Sequence, residues 1–338
     1  MRIAINGYGR IGHCIVRAIF DQGLEDEYEI IAINDLADNA LLCHLTRYDS
    51  TLGVFKHDVQ LVEDNMLIEG KSIQLSSCQD ATQLPWAKLD IDICFECSGH
   101  FASRELASHH LQAGAKKVLV SQPCADADKT IVYGVNHQLL RAEDTVVSNA
   151  SCTTNCLAPL LKVLTETVGV QSGMMTTIHS YTNDQNLIDK VGGDFYRSRS
   201  ATQSMIPTKT GAAKAVGLVL PELDGKLNGM AIRVPTINVS LVDLYIIPEK
   251  NITIDELHQH IQLAANTDLS AGGLKGILAY NDKPLVSVDF KCHTASSIFD
   301  ANHTSMLGSQ LKLMSWYDNE WAFSLRMLDV AKVMMNTQ

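Results

Sequence analysis

Cys152 and His179 are the residues of this chain best placed for covalent chemistry. Cys152 lies in Ser151-Cys-Thr-Thr-Asn-Cys156. A small polar residue followed by Thr-Thr-Asn predicts a helix start, where free N–H groups and the positive end of the helix dipole stabilise a thiolate. His179, twenty-seven residues on, closes the β-like run Gly173–His179 and would be presented at a strand end opposite that helix. A thiolate beside an imidazole is a nucleophile poised near neutral pH, and thiolates add to carbonyls. Thr210-Gly211 opens another helical segment and offers backbone N–H groups and a hydroxyl to an anion. Arg233, alone in the apolar run Ile232-Arg-Val-Pro, has two readings: the partner of an anionic substrate group, or one end of a structural salt bridge. The other eight cysteines lack the helix-start context. Without paired C-x-x-C elements or H-E-x-x-H, no metal site is expected.

The elements that must position these groups follow from the pattern around them. Leu157–Val168 is apolar enough for a buried helix, with Pro159 expected to kink it and Gly169 to stop it. The chain opens with a strand, Arg2–Ile5, then Asn6-Gly-Tyr-Gly-Arg-Ile-Gly12, then a helical pattern over 14–20. This is G-x-G-x-x-G between strand and helix: Gly7 for the tight turn, Gly9 for close approach to a pyrophosphate, Gly12 for helix-on-sheet packing. A second strand, Glu29–Asn34, ends at Asp35, twenty-three residues past Gly12. Its carboxylate suits the adenosine ribose hydroxyls and repels a 2′-phosphate, so NAD is the expected cofactor rather than NADP.

Further strands over 92–97, 117–121 and 131–135 alternate with a helix over 101–113, which predicts a parallel, doubly wound sheet. Ser98, Gly99 and Ser121 fall at strand ends, either as cofactor neighbours or as plain turn residues. Residues 66–73 predict a small inserted hairpin. From residue 174 the pattern turns toward β, with strand-like runs over 230–234, 239–247, 286–290, 297–300 and 311–316. Helices over 214–220 and 254–265 would cover that sheet, and an amphipathic helix over 320–335 follows. The expected fold is thus α/β: a Rossmann doubly wound domain plus an α+β catalytic domain on a mostly antiparallel or mixed sheet.

Composition narrows the class. The 338 residues are 46% hydrophobic and 19% charged, ordinary for a globular protein with a sizeable core. A formal charge of −11 without a Lys/Arg cluster argues against nucleic acid as a partner. There is no apolar run long enough to span a membrane and no signal-like start. Together with nine scattered cysteines, an odd count, this predicts a reduced, cytoplasmic protein. A nicotinamide cofactor and a cysteine nucleophile together suit aldehyde oxidation through a thiohemiacetal and a thioester.

Asn6–Gly12, Ser148–Cys156, Thr210-Gly-Ala-Ala213 and Trp316-Tyr-Asp-Asn-Glu-Trp321, in order and along the whole chain, closely resemble the glyceraldehyde-3-phosphate dehydrogenases. The resemblance implies a cytoplasmic homotetramer whose NAD-binding Rossmann domain spans 1–151, completed by the C-terminal helix 317–338, with the catalytic domain at 152–316. It implies oxidation of a triose phosphate with NAD and inorganic phosphate. Cys152 then matches the nucleophile and His179 its base. Thr182 and Arg233 match the substrate-phosphate binders. Ser151, Thr153, Thr210 and Gly211 match the attacking-phosphate site, with Arg197 near both. Asn319 matches the residue that orients the nicotinamide. Arg10, Ile11, Asp35, Ser98 and Ser121 match cofactor-contacting positions.

The sequence also departs from the family pattern. His13 replaces a usual arginine, Gln79 stands where many members carry an adenine-stacking arginine, and the 191–194 segment and Tyr196 alter a stretch near subunit contacts. A rival within the superfamily is erythrose-4-phosphate dehydrogenase, which uses water. The intact Thr208–Ala213 loop favours phosphate as the acceptor. A non-catalytic NAD-binding scaffold is the alternative of another class.

Overall fold

The structure is a computed structural model that describes residues 1–192 and 194–337. Gly193, within the divergent 191–194 segment, and Gln338, the end of the expected last helix, lie outside the described residues. The chain forms two compact units. Of the described residues, the first holds those in 1–131, 137–150 and 324–337, and the second those in 132–136 and 151–323.

The first unit is built on a nine-stranded sheet with a separate two-stranded pair. In chain order its elements are β1 (Arg2–Asn6), α1 (Arg10–Asp21), β2 (Glu29–Asn34), α2 (Asn39–Arg47), the short pair β3 (Tyr48–Asp49) and β4 (Gly53–Val54), then β5 (Val59–Val62), β6 (Asn65–Ile68) and β7 (Lys71–Ser76). There follow β8 (Ile93–Glu96), α3 (Arg104–Gln112), β9 (Lys117–Val120), β10 (Lys129–Thr130) and β11 (Val146–Ser148). The sheet order is β10-β11-β9-β8-β1-β2-β7-β6-β5, parallel from β10 through β7. Alternating βα units force this arrangement, since parallel neighbours need a crossover. β1 reads Arg-Ile-Ala-Ile-Asn and its central residues are wholly buried, as expected of a strand covered on both faces. The hairpin anticipated over 66–73 is present, and β7 attaches it to β2.

One anticipated strand is absent. Residues 131–135 form a turn, because the Asn136 side chain accepts the Val132 N–H at 2.8 Å and Gly134 takes φ +87°. The strand of that region is instead β11, a short apolar run between polar neighbours.

The second unit begins with α4 (Cys152–Thr167), followed by β12 (Val170–Ser180), β13 (Ile206–Lys209), α5 (Ala212–Val219), β14 (Leu227–Val234), β15 (Ser240–Pro248) and α6 (Ile254–Asn266). It continues with β16 (Leu278–Asn281), β17 (Ser297–Leu307) and β18 (Gln310–Tyr317), and α7 (Trp321–Asn336) follows, belonging from Ser324 to the first unit. The sheet, ordered β13-β14-β12-β15-β18-β17-β16, is mixed: β12–β14 and β16–β17 run parallel and the remaining pairs antiparallel. Helix α4 lies against β12, β15, β17 and β18 on one face, with α5 and α6 beside it. Pro159 sits inside α4, which runs unbroken past it. Residues 287–290, expected as strand, make a 3-10 turn instead. The Asp289 carboxylate accepts the Val286 N–H at 2.8 Å, and a side chain bonded to its own backbone favours a turn over a ladder. Among the described residues no helix is long and apolar enough to cross a membrane.

Candidate active site

Ser151 is the N-cap of α4: its backbone is extended, and its Oγ accepts the Thr154 N–H at 3.0 Å. A capping serine satisfies one of the four free N–H groups and fixes where the helix begins. Cys152 is therefore the first helical residue, half-buried over the positive end of the dipole. Its Sγ lies 3.5 Å from His179 Nε2, within reach of a thiol hydrogen bond.

His179 is buried near the end of β12, and the parallel register of β12 with β14 sets Arg233 directly beside it. His179 Nδ1 lies 2.6 Å from the Ser180 carbonyl and 2.7 Å from Arg233 Nη1. These two contacts make opposite demands, since a carbonyl needs an Nδ1–H and a guanidinium needs a lone pair. The carbonyl is nearer, and it also accepts Arg233 Nη1 at 3.1 Å, so we assign the proton to Nδ1. Nε2 then points its lone pair at the sulfur.

Burial, and then the Arg233 charge, push the His179 pKa down to about 3, so the imidazole is a neutral base. Burial raises the Cys152 thiol, opposed by Arg233 and by hydrogen bonds from Thr153. Cys156, sealed one turn further along the same helix, is pushed up to about 12. Its surroundings supply no such opposing charge, which separates a structural cysteine from a reactive one. Nε2 stands 3.5 Å from Sγ, placed to take the thiol proton.

Tyr317 ties α4 to β12. Its hydroxyl lies 2.9 Å from Thr153 Oγ1 and 2.8 Å from Thr177 Oγ1, and its ring meets His179 edge-on at 5.8 Å. Asn319 is buried, and its Oδ1 accepts the Ser240 hydroxyl at 3.1 Å. Neither Tyr317 nor Ser240 stands out in sequence as more than a strand residue, although Tyr317 lies inside the Trp316–Trp321 run.

The anion-binding candidates sit on the edge of the same sheet. β13 pairs Ile206 with Arg233 and Thr208 with Ala231, and Arg197 Nε donates to Thr208 Oγ1 at 3.0 Å. Arg197 also pairs with Asp184 at 2.6 Å. Thr182 bonds through its N–H to Gln185 at 2.9 Å. Thr210 Oγ1 accepts the Ala212 N–H at 3.2 Å, and Gly211 caps α5 with open space where a side chain would be. Arg233 Nε is buried with no partner, and no carboxylate pairs with this guanidinium among the described residues. The salt-bridge reading of Arg233 therefore fails. His179 touches both Cys152 and Arg233, whereas Thr182, Arg197 and Thr210 bond to other neighbours.

In the first unit the glycine loop has the shape of a dinucleotide cradle. Gly7 has φ +87°, and a Cβ there would lie 2.3 Å from Ser98 Cα, so only glycine fits. A Cβ on Gly12 would come within 2.7 Å of the Gly7 carbonyl, whereas Gly9, the N-cap of α1, faces open space. The first turn of α1, with Arg10 and Ile11, carries no acidic residue and no side-chain cap, leaving its N–H groups for an anion. Arg10 pairs with Asp49. Asp35 accepts the N–H groups of Tyr8 at 2.7 Å and Ala37 at 3.0 Å, which anchors its carboxylate beside the loop.

Ser98 donates its N–H to Glu96 Oε1 at 2.7 Å, Gly99 turns the chain at φ +81°, and the Ser121 N–H donates to the Glu96 carbonyl at 2.9 Å. His13 is buried, with its ring 3.9 Å from that of Tyr8. Gln79 and Tyr196 are exposed. Three or more metal-ligating side chains do not cluster anywhere among the described residues.

A doubly wound unit shaped for a dinucleotide, joined to a cysteine–histidine site built to add to a carbonyl, defines a thiol-dependent aldehyde dehydrogenase class. Residues 1–104 match the family description "Glyceraldehyde 3-phosphate dehydrogenase, NAD binding domain", and residues 151–319 match its C-terminal domain. The chain is 54% identical over 332 residues to "Glyceraldehyde-3-phosphate dehydrogenase, plasmid" of Cupriavidus necator, covering 98% of this chain and 97% of that one. It is 53% identical to the Pseudomonas aeruginosa glyceraldehyde-3-phosphate dehydrogenase, with 98% and 97% covered. A Bacillus cereus relative, "Glyceraldehyde-3-phosphate dehydrogenase 1", is 49% identical with 98% of each chain covered. The chain belongs to the glyceraldehyde-3-phosphate dehydrogenase family.

Proposed function

We propose that this protein oxidises glyceraldehyde 3-phosphate with NAD and inorganic phosphate, giving 1,3-bisphosphoglycerate. The observation that carries the reading is the Cys152 Sγ to His179 Nε2 contact of 3.5 Å at the start of α4. His179 Nε2 takes the thiol proton as Sγ adds to the aldehyde carbon and passes it to the former carbonyl oxygen, giving a thiohemiacetal on Cys152. NAD, when bound, would supply the two-electron oxidant for conversion of this adduct to a thioester, with His179 Nε2 taking the hydroxyl proton. A phosphate oxygen then attacks the thioester carbon, the C–S bond breaks, and the sulfur leaves as thiolate.

The unpartnered Arg233 Nε supports a phosphate-binding role for Arg233, with Thr182 as the second ligand of the substrate phosphate. Ser151, Thr153, Thr210 and Gly211 receive the attacking phosphate, and Arg197 serves either anion on release from Asp184. Gly7, Gly9, Arg10, Ile11, Gly12, Asp35, Ser98, Gly99 and Ser121 hold NAD. The Asn319 amide orients its nicotinamide.

We also infer a homotetramer. Ile188, Val191, Phe195 and Met205 are 74–100% exposed, and the helix-free face of the second sheet exposes Met174, Met230 and Tyr245. Exposed apolar groups of this extent are ordinarily covered by another subunit. All nine cysteines are free, which supports a reducing, cytoplasmic setting.

The test is NADH formation with glyceraldehyde 3-phosphate and erythrose 4-phosphate, with and without phosphate. Fast, phosphate-dependent turnover of the triose is expected. Phosphate-independent turnover favouring the tetrose would assign the hydrolytic relative's reaction instead, and no NADH from either would leave a binding scaffold.

A further inference from the structure

Val239 carries a β-branched side chain on a left-handed backbone, φ +66°. Such residues avoid this conformation and keep it only where their surroundings over-determine it. Here the Val239 N–H donates to the Asn238 side-chain oxygen at 2.8 Å, and its carbonyl accepts the Ser180 hydroxyl at 2.7 Å. Its side chain packs against Phe290, Ala295 and Ile298. Asn238 is itself fixed, donating to Asp318 Oδ2 at 3.0 Å.

The strained residue delivers Ser240, the first residue of β15, to a point between two parts of the site. Ser240 is 1% exposed. Its hydroxyl accepts the Ser180 N–H at 3.1 Å and donates to Asn319 Oδ1 at 3.1 Å. The two bonds are compatible, since a hydroxyl has one proton to give and lone pairs to spare.

We propose that Ser240 is a positioning residue of this enzyme, whose single hydroxyl fixes both the Ser180 peptide behind His179 and the orientation of the Asn319 amide. The Ser180 carbonyl, joined through Ser180 Cα to the N–H that Ser240 holds, sets the proton of His179 on Nδ1, so a displaced Ser180 backbone misaligns the base. The two ends of a carboxamide have similar shapes and opposite hydrogen-bonding roles. With Oδ1 engaged by Ser240, Asn319 presents Nδ2 outward as a donor. Without the hydroxyl the amide rotates freely, and part of the population presents an acceptor where a donor is required. The cofactor half of this proposal rests on reading Asn319 as the nicotinamide-orienting residue.

A double-mutant cycle on NAD affinity tests it, measured by titration calorimetry on the folded full-length protein as wild type, Ser240→Ala, Asn319→Ala and the double variant. Ser240→Ala should weaken NAD binding about tenfold, the size of one lost hydrogen bond, and should add nothing in the Asn319→Ala background. Equal losses in both backgrounds, or no loss in the wild type, overturn the cofactor half. Unchanged affinity in Asn319→Ala shows separately that the reading of Asn319 is wrong.

The second readout needs no cofactor: the pH profile of Cys152 alkylation by iodoacetamide. It should shift in Ser240→Ala and stay put in Asn319→Ala. A Ser240→Ala profile that overlays the wild type overturns the base half. Ser240→Cys keeps a weaker donor and acceptor at the same size, and is measured alongside in case the alanine variant does not fold. Its NAD affinity should fall between wild type and Ser240→Ala. Wild-type affinity and an unmoved profile in a folded Ser240→Cys overturn the proposal.

Discussion

Replacing His179 by asparagine removes the group that receives the Cys152 proton while leaving a side chain that still fits the end of β12. The size of the loss follows from the geometry. A thiolate and an imidazolium at the observed 3.5 Å attract by about 5 kcal/mol at an effective dielectric of ~20. Cys152 is half-buried, so solvent screening reduces this to roughly 2–3 kcal/mol, or about a hundredfold in rate. General-base catalysis is ordinarily worth ~10²–10⁴. The expected result is thus a His179→Asn enzyme whose acylation rate falls by a factor of about 10²–10³, with NAD affinity unchanged. Rapid-mixing measurement of the NADH burst reads acylation directly, and iodoacetamide alkylation of the ligand-free enzyme reads the thiol. The alkylation profile should shift in His179→Asn, because Sγ then loses its 3.5 Å contact with Nε2. A burst of wild-type rate together with an overlaid alkylation profile would refute the assignment of His179 as base.

Tyr317→Phe should cost about 2–3 kcal/mol of stability in denaturant titration, because Thr153 and Thr177 both lose a buried partner. Wild-type stability would show that the two hydroxyls find other partners. Asp35→Ser should lower NAD affinity roughly tenfold and admit NADP, as removal of the carboxylate ends the repulsion of a 2′-phosphate; binding titrations with both cofactors decide it. Thr210→Val should raise the phosphate KM several-fold and leave the triose KM in place, and a change confined to the triose would move Thr210 to the other anion site. His179 is held neutral to about pH 3, so the unfolded chain takes up its proton first as pH falls below about 6.5. Stability should therefore decline from about pH 6.5 toward pH 3 by an increment that His179→Asn lacks, and identical pH–stability curves would contradict the neutral buried imidazole.

Much of the fold and the centre of the site could be read from the sequence because both rest on local signals. The glycine loop, the Asp35 position and the Ser151 cap are short-range patterns whose physics does not depend on the remainder of the chain. The run 131–135 is apolar enough for a strand, yet Asn136 reaches back to the Val132 N–H and makes a turn. Side-chain competition of this kind at 131–135 and 286–290 is invisible to hydrophobic patterning. Helix α2 went unread because its exposed Leu41 and Leu45 blur the periodicity. Arg233 could be flagged as a lone charge, but its neighbour could not, since only the parallel β12–β14 register sets it beside His179. Tyr317 and Ser240 are ordinary strand residues in sequence. Their importance comes from what lies across the sheet.

The central claim is that Cys152 carries the substrate as a thioester, and intact-protein mass spectrometry tests it most directly. The enzyme is mixed with NAD and glyceraldehyde 3-phosphate, without inorganic phosphate, quenched in acid, and mapped by peptide digestion. A 3-phosphoglyceroyl adduct on Cys152, lost on addition of phosphate and absent in Cys152→Ser, is the expected result. An unmodified Cys152 during NADH formation, or an adduct on another cysteine, would contradict the account.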